Sequence, residues 1–188
     1  MGLARKLMSG HLVFDHEASV LLVVRDGRHL EYRIPYETLT PIDWGYVYER
    51  HVGLTFEALG YAVTYRGLRL GFIDRGVDLV LQRGEETIYV QCKHAVVKPL
   101  NMSGIRWLLY EADRLLATQY RGQPLNFHLV VPSKNDCFGS TKLKINGVVR
   151  KQSISRYVEA LNGLPSRVRI KVVEVPMLRH GSVVGDGS

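Results

Sequence analysis

Apolar and polar residues alternate along several short runs of this chain, as they do in β-strands. The segments SVLLVV and HLEYRI are strand-like, and Asp26-Gly27 between them is a strong tight-turn signal. Residues 11–34 are therefore predicted to form a β-hairpin or a small meander. Further strands are predicted at YAVTYRG, GVDLVLQ, ETIYVQCK, LNFHLVVP and RVRIKVVEV.

Helical spacing of apolar residues marks three other segments. The first starts near Asp43, a predicted N-cap, and stops at Gly60. A second is predicted over residues 103–121, with Ser103 as N-cap and Gly122 as the stop, and a short amphipathic helix is predicted at SISRYVEALNG. Between the strand that ends at Pro132 and about residue 150, a loop rich in Lys, Asn, Gly and Ser is predicted.

The order of these elements predicts the fold class. From Asp43 onward it is α, β, β, β, α, β, α, β, with an antiparallel hairpin followed by alternating helices and strands. This order predicts an α/β fold in which a mixed β-sheet is flanked by helices. We expect an N-terminal β-hairpin extension over 1–40, a core domain over 41–180 and a disordered tail over 181–188.

The hairpin within 74–93 brings three polar side chains together. If Gly84-Glu85 forms its turn, Asp78 lies opposite Gln91 on the same face of the sheet. Lys93 shares that face as the diagonal neighbour, because side chains alternate along a strand. A turn one residue longer would move Asp78 to the other face. The prediction depends on this register.

Two interpretations of this polar cluster stay open from spacing alone. A carboxylate, an amide oxygen and a backbone carbonyl are hard oxygen ligands suited to Mg²⁺. A nearby lysine can orient or deprotonate an attacking water and neutralise charge on a phosphate. The alternative is a weak surface pair between Asp78 and Lys93 at the strand ends.

Composition and charge narrow the class of protein. The chain has 188 residues, 46% hydrophobic and 23% charged, which predicts one folded domain with a sizeable core. Its net charge of +7 favours a polyanionic partner, with nucleic acid first and an anionic membrane surface second. No apolar run approaches the roughly 20 residues that span a bilayer, so we expect a cytoplasmic protein without a membrane anchor.

Several kinds of site lack support in the sequence. The two cysteines, Cys92 and Cys137, do not have metal-ligand spacing, and no HExxH, P-loop or GxGxxG motif is present. By strand parity the Cys92 side chain faces the core. A structural cysteine is therefore favoured over a nucleophile.

One stretch resembles a known family. GFIDRGVDLVLQRGEETIYVQCKH is similar to the nuclease core of the Mrr-like restriction endonucleases, within the PD-(D/E)xK superfamily. The matching motifs are the G-V-D-L at Gly76–Leu79, the V-Q-C-K at Val90–Lys93, and a helical Glu49 followed by the G-Y-A-V at Gly60–Val63. The resemblance covers roughly residues 44–131 and implies a restriction-endonuclease-like fold.

The resemblance also implies roles for individual residues. Asp78 would be the central metal ligand, and Gln91 would stand where most of the superfamily has Asp or Glu. The main-chain carbonyl of Cys92 would be a further ligand, Lys93 the catalytic lysine and Glu49 an additional acidic group on the first helix. Without the resemblance Glu49 is an ordinary helical glutamate. The implied cofactor is Mg²⁺, with Mn²⁺ as a substitute.

Basic and polar residues beyond this core are predicted to contact DNA phosphates, which sets affinity rather than sequence choice. One group lies around the start of the second long helix, where the helix N-terminus also favours anions. The other lies within the basic stretch after Pro132. The predicted DNA-binding residues are Lys98, Asn101, Ser103, Arg106, Lys134, Lys142, Lys144, Arg150 and Lys151.

Together these features predict a metal-dependent DNA endonuclease that hydrolyses phosphodiester bonds in double-stranded or branched DNA. Restriction, repair and junction resolution all use this type of core, and the fold does not choose between them. Cleavage of two strands requires two sites, so a homodimer is expected. The alternative is a catalytically inactive DNA-binding or assembly module that keeps the fold.

Overall fold

The computed structural model describes residues 2–70, 76–94, 99–145, 148–153, 158, 162 and 166–177; for residue 70 and for 140–145 and 148–153 it describes the backbone alone. The predicted short helix at 153–163 and the tail 181–188 lie essentially outside these residues. No helix in the described ranges is long and apolar enough to cross a membrane.

The N-terminal segment forms a three-stranded antiparallel sheet, which confirms the predicted meander. Its strands are paired in the order β1-β2-β3. Asp26 (φ 52°) and Gly27 (φ 68°) adopt left-handed conformations in the turn between the second and third strands, as the Asp-Gly dipeptide predicted. A short helix that the sequence did not predict precedes the sheet. The elements are α1 (Leu3–Leu7), β1 (His11–Asp15), β2 (Val20–Arg25) and β3 (His29–Pro35).

The first long helix, α2 (Pro41–Ala58), begins three residues earlier than predicted. Its N-cap is Thr40, whose hydroxyl accepts a hydrogen bond from the N–H of Asp43, while the Asp43 carboxylate accepts from the Thr40 N–H. Asp43 therefore completes a capping box as the third helical residue and is not the N-cap. Gly60 (φ 83°) follows the helix end and confirms the predicted stop.

A five-stranded mixed sheet forms the centre of the protein, as the element order predicted. The strand order is β10-β7-β6-β5-β4, with antiparallel pairing from β4 to β6 and parallel pairing of β6 with β7 and of β7 with β10. The elements after α2 are β4 (Ala62–Tyr65), α3 (Gly67–Leu70), β5 (Leu79–Arg83), β6 (Glu86–Cys92), α4 (Met102–Leu116), β7 (Leu125–Val131), α5 (Lys134–Cys137), β8 (Ser140–Ile145), β9 (Val148–Ser153) and β10 (Val168–Glu174).

Two details of this half of the chain differ from the prediction. The N-cap of α4 is Asn101, whose side-chain oxygen accepts from the N–H of Gly104 at 2.8 Å, so Ser103 lies inside the helix and is not its cap. The prediction of a loop after Pro132 is wrong, because this segment contains α5 and the antiparallel β8–β9 hairpin.

Two apolar clusters cover opposite faces of the central sheet. On one face α2 and the N-terminal sheet pack against Ile88 and Val90 of β6, with Cys92 at the edge of that cluster. On the other face α4 packs against Phe127 and Leu129 of β7. Because side chains alternate along β6, Gln91 faces the α4 side, and the polar end of the hairpin lies between the two packed layers.

Candidate active site

The hairpin of β5 and β6 has the register on which the polar cluster depends. Arg83 pairs with Glu86 and Leu79 pairs with Val90, across a two-residue turn in which Gly84 has a φ of 58°. The predicted register is confirmed from Leu79 to Glu86. Asp78 directly precedes β5 and contacts Gln91 through their side chains, since Gln91 Nε2 donates to Asp78 Oδ2.

Asp78 is held at the entry to β5 by its backbone and its carboxylate. Its N–H donates to the Val90 carbonyl at 2.8 Å. Its Oδ2 accepts from Gln91 Nε2 at 2.7 Å and from the Cys92 N–H at 2.6 Å. Both side chains are buried, Asp78 at 7% and Gln91 at 3% exposure. This excludes the weak surface pair as a description of Asp78, because a solvated strand-end carboxylate would not be enclosed in this way.

The amide oxygen of Gln91 is the unusual atom of this cluster. Gln91 Nε2 donates to Asp78 and lies 3.5 Å from the Cys92 carbonyl oxygen. Gln91 Oε1 is buried and has no hydrogen-bond partner. Leaving a buried acceptor unpaired costs about 1–3 kcal/mol, so such atoms are rare outside sites with a further function.

Gly76 shapes the wall beside Gln91. Its φ of 90° is a conformation that residues with a Cβ rarely adopt, and a Cβ there would lie 3.1 Å from Gln91 Oε1. The same position is 3.9 Å from Cβ of Glu111 on α4. The glycine of the G-V-D segment thus lets the chain pass close to Gln91, and α4 borders the site through Glu111.

Glu49 reaches the site from α2 and is buried at 4% exposure. Its Oε1 accepts from the N–H of Leu68 at 2.9 Å, at the start of α3. The neighbouring Gly67 donates its N–H to the Asp78 carbonyl at 3.0 Å, and a Cβ on Gly67 would lie 2.5 Å from Glu49 Oε2. The first turn of α3 therefore joins Glu49 to Asp78. The rival on the same helix, Glu57, pairs with Arg50 instead.

The Cys92 thiol lies among the charged groups of this site. Burial raises the pKa of the Cys92 thiol well above its usual range, and the carboxylates of Asp78 and Glu49 raise it further, while the Lys93 ammonium opposes them. The thiol is therefore protonated at neutral pH. With the side chain packed against the α2 cluster, Cys92 is a structural cysteine, as predicted.

Lys93 extends the β6 strand by one residue. Its N–H donates to the Val130 carbonyl at 2.9 Å, which keeps the backbone beside β7. Strand parity places its half-buried side chain on the same face as Gln91. Asp78, Gln91 and Glu49 thus lie at one end of the β5–β6 hairpin, and Lys93 directly follows the last residue of β6 at that end.

The side-chain and backbone oxygens at this end of the hairpin are candidate ligands for a hard divalent cation. They are a carboxylate, an unpaired amide oxygen and the Cys92 carbonyl, with the Glu49 carboxylate beyond them, all of the oxygen type that Mg²⁺ takes. The partly positive amide nitrogen of Gln91, Nε2, lies between Asp78 Oδ2 and the Cys92 carbonyl oxygen. Within the described residues no three His, Cys, Asp or Glu side chains form a ligand group, so a site here depends on amide and backbone oxygens.

The predicted DNA-binding residues fall into three groups. Ser103 and Arg106 line an open surface depression of about 410 Å³ on the outer side of α4, and Asn101 caps that helix. Lys134 begins α5, where its N–H donates to Glu174. Lys142 pairs with Lys151 across the β8–β9 hairpin, which also carries Lys144 and Arg150, while Lys98 lies outside the described residues.

Sequence reasoning missed three residues of α4. Trp107 and Tyr110 line the same surface depression as Arg106, and Glu111 lies near Gly76 beside Gln91. Helical spacing could have linked these three residues, because positions three and four apart lie on the same face of a helix.

His128, in strand β7, makes the free energy of unfolding depend on pH. Burial first, and then the Lys171 cation, lower the pKa of His128 to about 4, while Glu86 acts in the opposite direction. The unfolded value is about 6.5, so the unfolded chain binds the proton more readily. The stabilisation contributed by neutral His128 is fully present above about pH 6.5 and is lost as the pH falls toward 4. The free energy of unfolding falls by roughly 2 kcal/mol over this range, with allowance for the partial exposure of the side chain.

Urea unfolding between pH 4 and pH 7.5 measures this effect. His128→Gln should flatten the dependence, whereas His29→Gln, at an exposed position of β3, should leave it unchanged. An identical slope in wild type and His128→Gln would contradict the assignment.

Comparisons of the chain with protein-family models, with curated proteins and with solved structures found no match. The geometry at the end of the β5–β6 hairpin therefore carries the functional assignment.

Proposed function

We propose that the protein is a metal-dependent DNA endonuclease with a restriction-endonuclease-like fold similar to that of the Mrr-like enzymes. The order α2, β4, β5, β6, α4, β7 and the mixed sheet it forms support this proposal. The motifs of the resemblance also lie where such a site needs them, at the entry to β5 and the end of β6.

The observation that carries the proposal is the buried polar cluster of Asp78, Gln91 and the Cys92 carbonyl, beside which Gln91 Oε1 has no hydrogen-bond partner. A buried carboxylate beside an unpaired amide oxygen is costly for a protein that only needs a stable hairpin. The cost is offset if a cation binds these oxygens during function. Asp78, Gln91 and the Cys92 carbonyl would hold Mg²⁺ or Mn²⁺, with Glu49 beyond them. When bound, the ion supplies a Lewis acid for the scissile phosphate and lowers the pKa of a coordinated water.

The other residues act on the substrate directly or through position. The Lys93 ammonium neutralises charge that develops on the phosphate and orients the attacking water. Glu49, fixed by the Leu68 N–H, adds negative charge that favours a cation at the site. Basic residues of α4, α5 and the β8–β9 hairpin follow the DNA backbone, and two copies of the chain cut two strands.

The second candidate function is a DNA-binding or assembly module without catalysis. It is favoured by the state of Asp78, whose Oδ2 already accepts two N–H groups, and by Gln91, which carries no formal charge. Such a module would bind DNA with strong salt dependence and would show no measurable Mg²⁺ affinity.

Nicking of supercoiled plasmid and of a four-way junction distinguishes the two. We expect cleavage by the wild type with Mg²⁺ or Mn²⁺, none with EDTA, and none by Asp78→Ala or by Asp78→Asn, which keeps an acceptor for the Cys92 N–H. Asp136→Ala removes an exposed aspartate and is the matched control. Absence of cleavage by the wild type, with DNA binding retained and no Mg²⁺ binding by calorimetry, would replace the nuclease with the module.

A further inference from the structure

The outer surface of α4 carries two large aromatic side chains that the fold does not use. Trp107 is 63% exposed and Tyr110 is 58% exposed. Their ring centroids are 5.7 Å apart with the planes inclined by 32°. Aromatic residues of this size bury most of their area in folded proteins, so two adjacent exposed rings mark a surface with a ligand or partner.

The packing of α4 explains why these rings are not part of the core. Ile105, Ala112 and Leu116 are buried and pack against β7 and β10. At 3.6 residues per turn, Trp107 and Tyr110 lie roughly opposite that buried side. The helix meets its need for apolar burial without them.

The chemistry around the rings favours a nucleotide over a protein side chain. They line the open surface depression of about 410 Å³ together with Arg106 and Ser103. Its described lining therefore contains two π-faces, one cation and one hydroxyl, with no acid and no aliphatic residue. Unpaired bases stack on aromatic rings, and Arg and Ser bind phosphate, in a chain whose net charge is +7.

The helix that carries the rings also borders the candidate active site. Glu111, one helical turn after Trp107, has its Cβ 3.9 Å from the position where a Cβ on Gly76 would lie. That position is 3.1 Å from Gln91 Oε1. One turn of helix advances about 5 Å, so a nucleotide stacked on Trp107 is a near neighbour of a phosphate at the site.

We propose that Trp107 and Tyr110 form a stacking platform for unpaired bases, with Arg106 and Ser103 on the adjoining phosphate. The substrate class is then DNA with unpaired nucleotides beside the scissile bond, such as a flap, a gap or a branch point, instead of continuous duplex. The identification of this DNA as a substrate rests on the proposed nuclease function. The binding of unpaired bases by the platform does not depend on that function.

Tryptophan fluorescence tests the platform without cleavage. The chain has two tryptophans, and Trp44 lies in a partly buried contact with Tyr36 and His94. Trp44→Phe therefore leaves Trp107 as the only reporter. Titration with a dT oligonucleotide in EDTA should quench its emission, and a blunt duplex should not.

Affinity measurements in the same buffer give the size of the effect. Trp107→Ala should weaken binding of the dT oligonucleotide by roughly 5- to 150-fold, with Trp107→Phe in between, and should change blunt-duplex binding less than about twofold. Ile42→Ala removes an apolar side chain that is also 58% exposed, on α2, and should change neither affinity.

Four results would overturn the platform. The first is that the dT oligonucleotide causes no quenching and Trp107→Ala causes no loss of affinity, and the second is an equal loss of affinity for blunt duplex in Trp107→Ala. The others are tighter binding of an rU than of a dT oligonucleotide and a shift from dimer to monomer in Trp107→Ala. The last would make the rings a contact between copies of the chain. Because all these measurements are made in EDTA, they are independent of the plasmid assay, and failure of one proposal is separable from failure of the other.

Discussion

Replacing Lys93 with alanine is expected to slow DNA nicking by roughly 10²- to 10⁴-fold, the range that a positioned acid–base group contributes. The lysine follows the last residue of β6, and its side chain shares a face with Gln91 and Asp78, so its ammonium is placed for a phosphate held at those oxygens. The readout is the single-turnover rate at saturating DNA and Mg²⁺, where the chemical step is measured apart from binding.

The loss should appear in the rate and not in metal or DNA affinity. Lys93→Ala should bind Mg²⁺ as tightly as the wild type, because the proposed ligands are oxygens of other residues. Lys171→Ala removes an exposed lysine on the opposite face of the sheet and should leave the rate unchanged. A rate within threefold of wild type for Lys93→Ala would remove this lysine from the mechanism. A matching fall in Mg²⁺ affinity would instead assign it to the metal site.

The pairing of Asp78 with Gln91 was predictable because two local rules determine it. A two-residue turn sets the register of a hairpin, and the two-residue period of a strand then sets the face of every side chain. Neither rule depends on the rest of the chain. The orphaned Gln91 oxygen was not predictable, because it depends on how Gly76 and α4 close over the hairpin.

Helix starts were predicted only to within three residues. Thr40 and Asp43 are both good capping residues, and in the capping box each bonds the backbone of the other. Asn101 and Ser103 present the same ambiguity at α4. The residue that becomes the N-cap is decided by the backbone conformation of the preceding segment, which a list of residue types does not contain.

The β8–β9 hairpin had a signal that its charge obscured. Asn146-Gly147 falls between the two strands, and Asn-Gly is the dipeptide most typical of a tight hairpin turn. The lysines around it gave the segment the composition of a loop. Turn chemistry was the better guide here than polarity.

The burial of Glu49 and Arg50 could not be predicted from local sequence rules. Adjacent charged residues in a helix usually face solvent, and here both are buried because residues distant in sequence supply their partners. Glu49 meets the start of α3 and belongs to the candidate site. Arg50 points to the N-terminal segment and has a structural role.

Arg50 joins three parts of the fold through one guanidinium group. Its Nε donates to the Leu7 carbonyl at 3.2 Å and its Nη2 to the Gly10 carbonyl at 3.0 Å, which ties α1 and the approach to β1 onto α2. Its Nη1 donates to the Tyr65 hydroxyl and to Glu57 Oε1. Burial and the hydrogen bond to Glu57 raise the pKa of Tyr65, so its hydroxyl stays protonated. All three nitrogens of this buried guanidinium thus donate to described acceptors.

Removal of this guanidinium is expected to cost about 3–5 kcal/mol, since it leaves buried carbonyls and a hydroxyl unpaired. Arg50→Met, which keeps most of the apolar stem, should lower the free energy of unfolding in urea by that amount, a large share of the 5–15 kcal/mol typical of a domain. The chain supplies a matched control in Arg83, which also lies over a tyrosine ring (4.2 Å against 4.7 Å) and pairs with a glutamate. The Arg83 side chain is 55% exposed and that of Arg50 is 8% exposed, so Arg83→Met should cost less than about 1 kcal/mol. Equal losses in the two variants would show that ring and ion-pair contacts, not the buried hydrogen bonds to the N-terminal segment, account for the stabilisation.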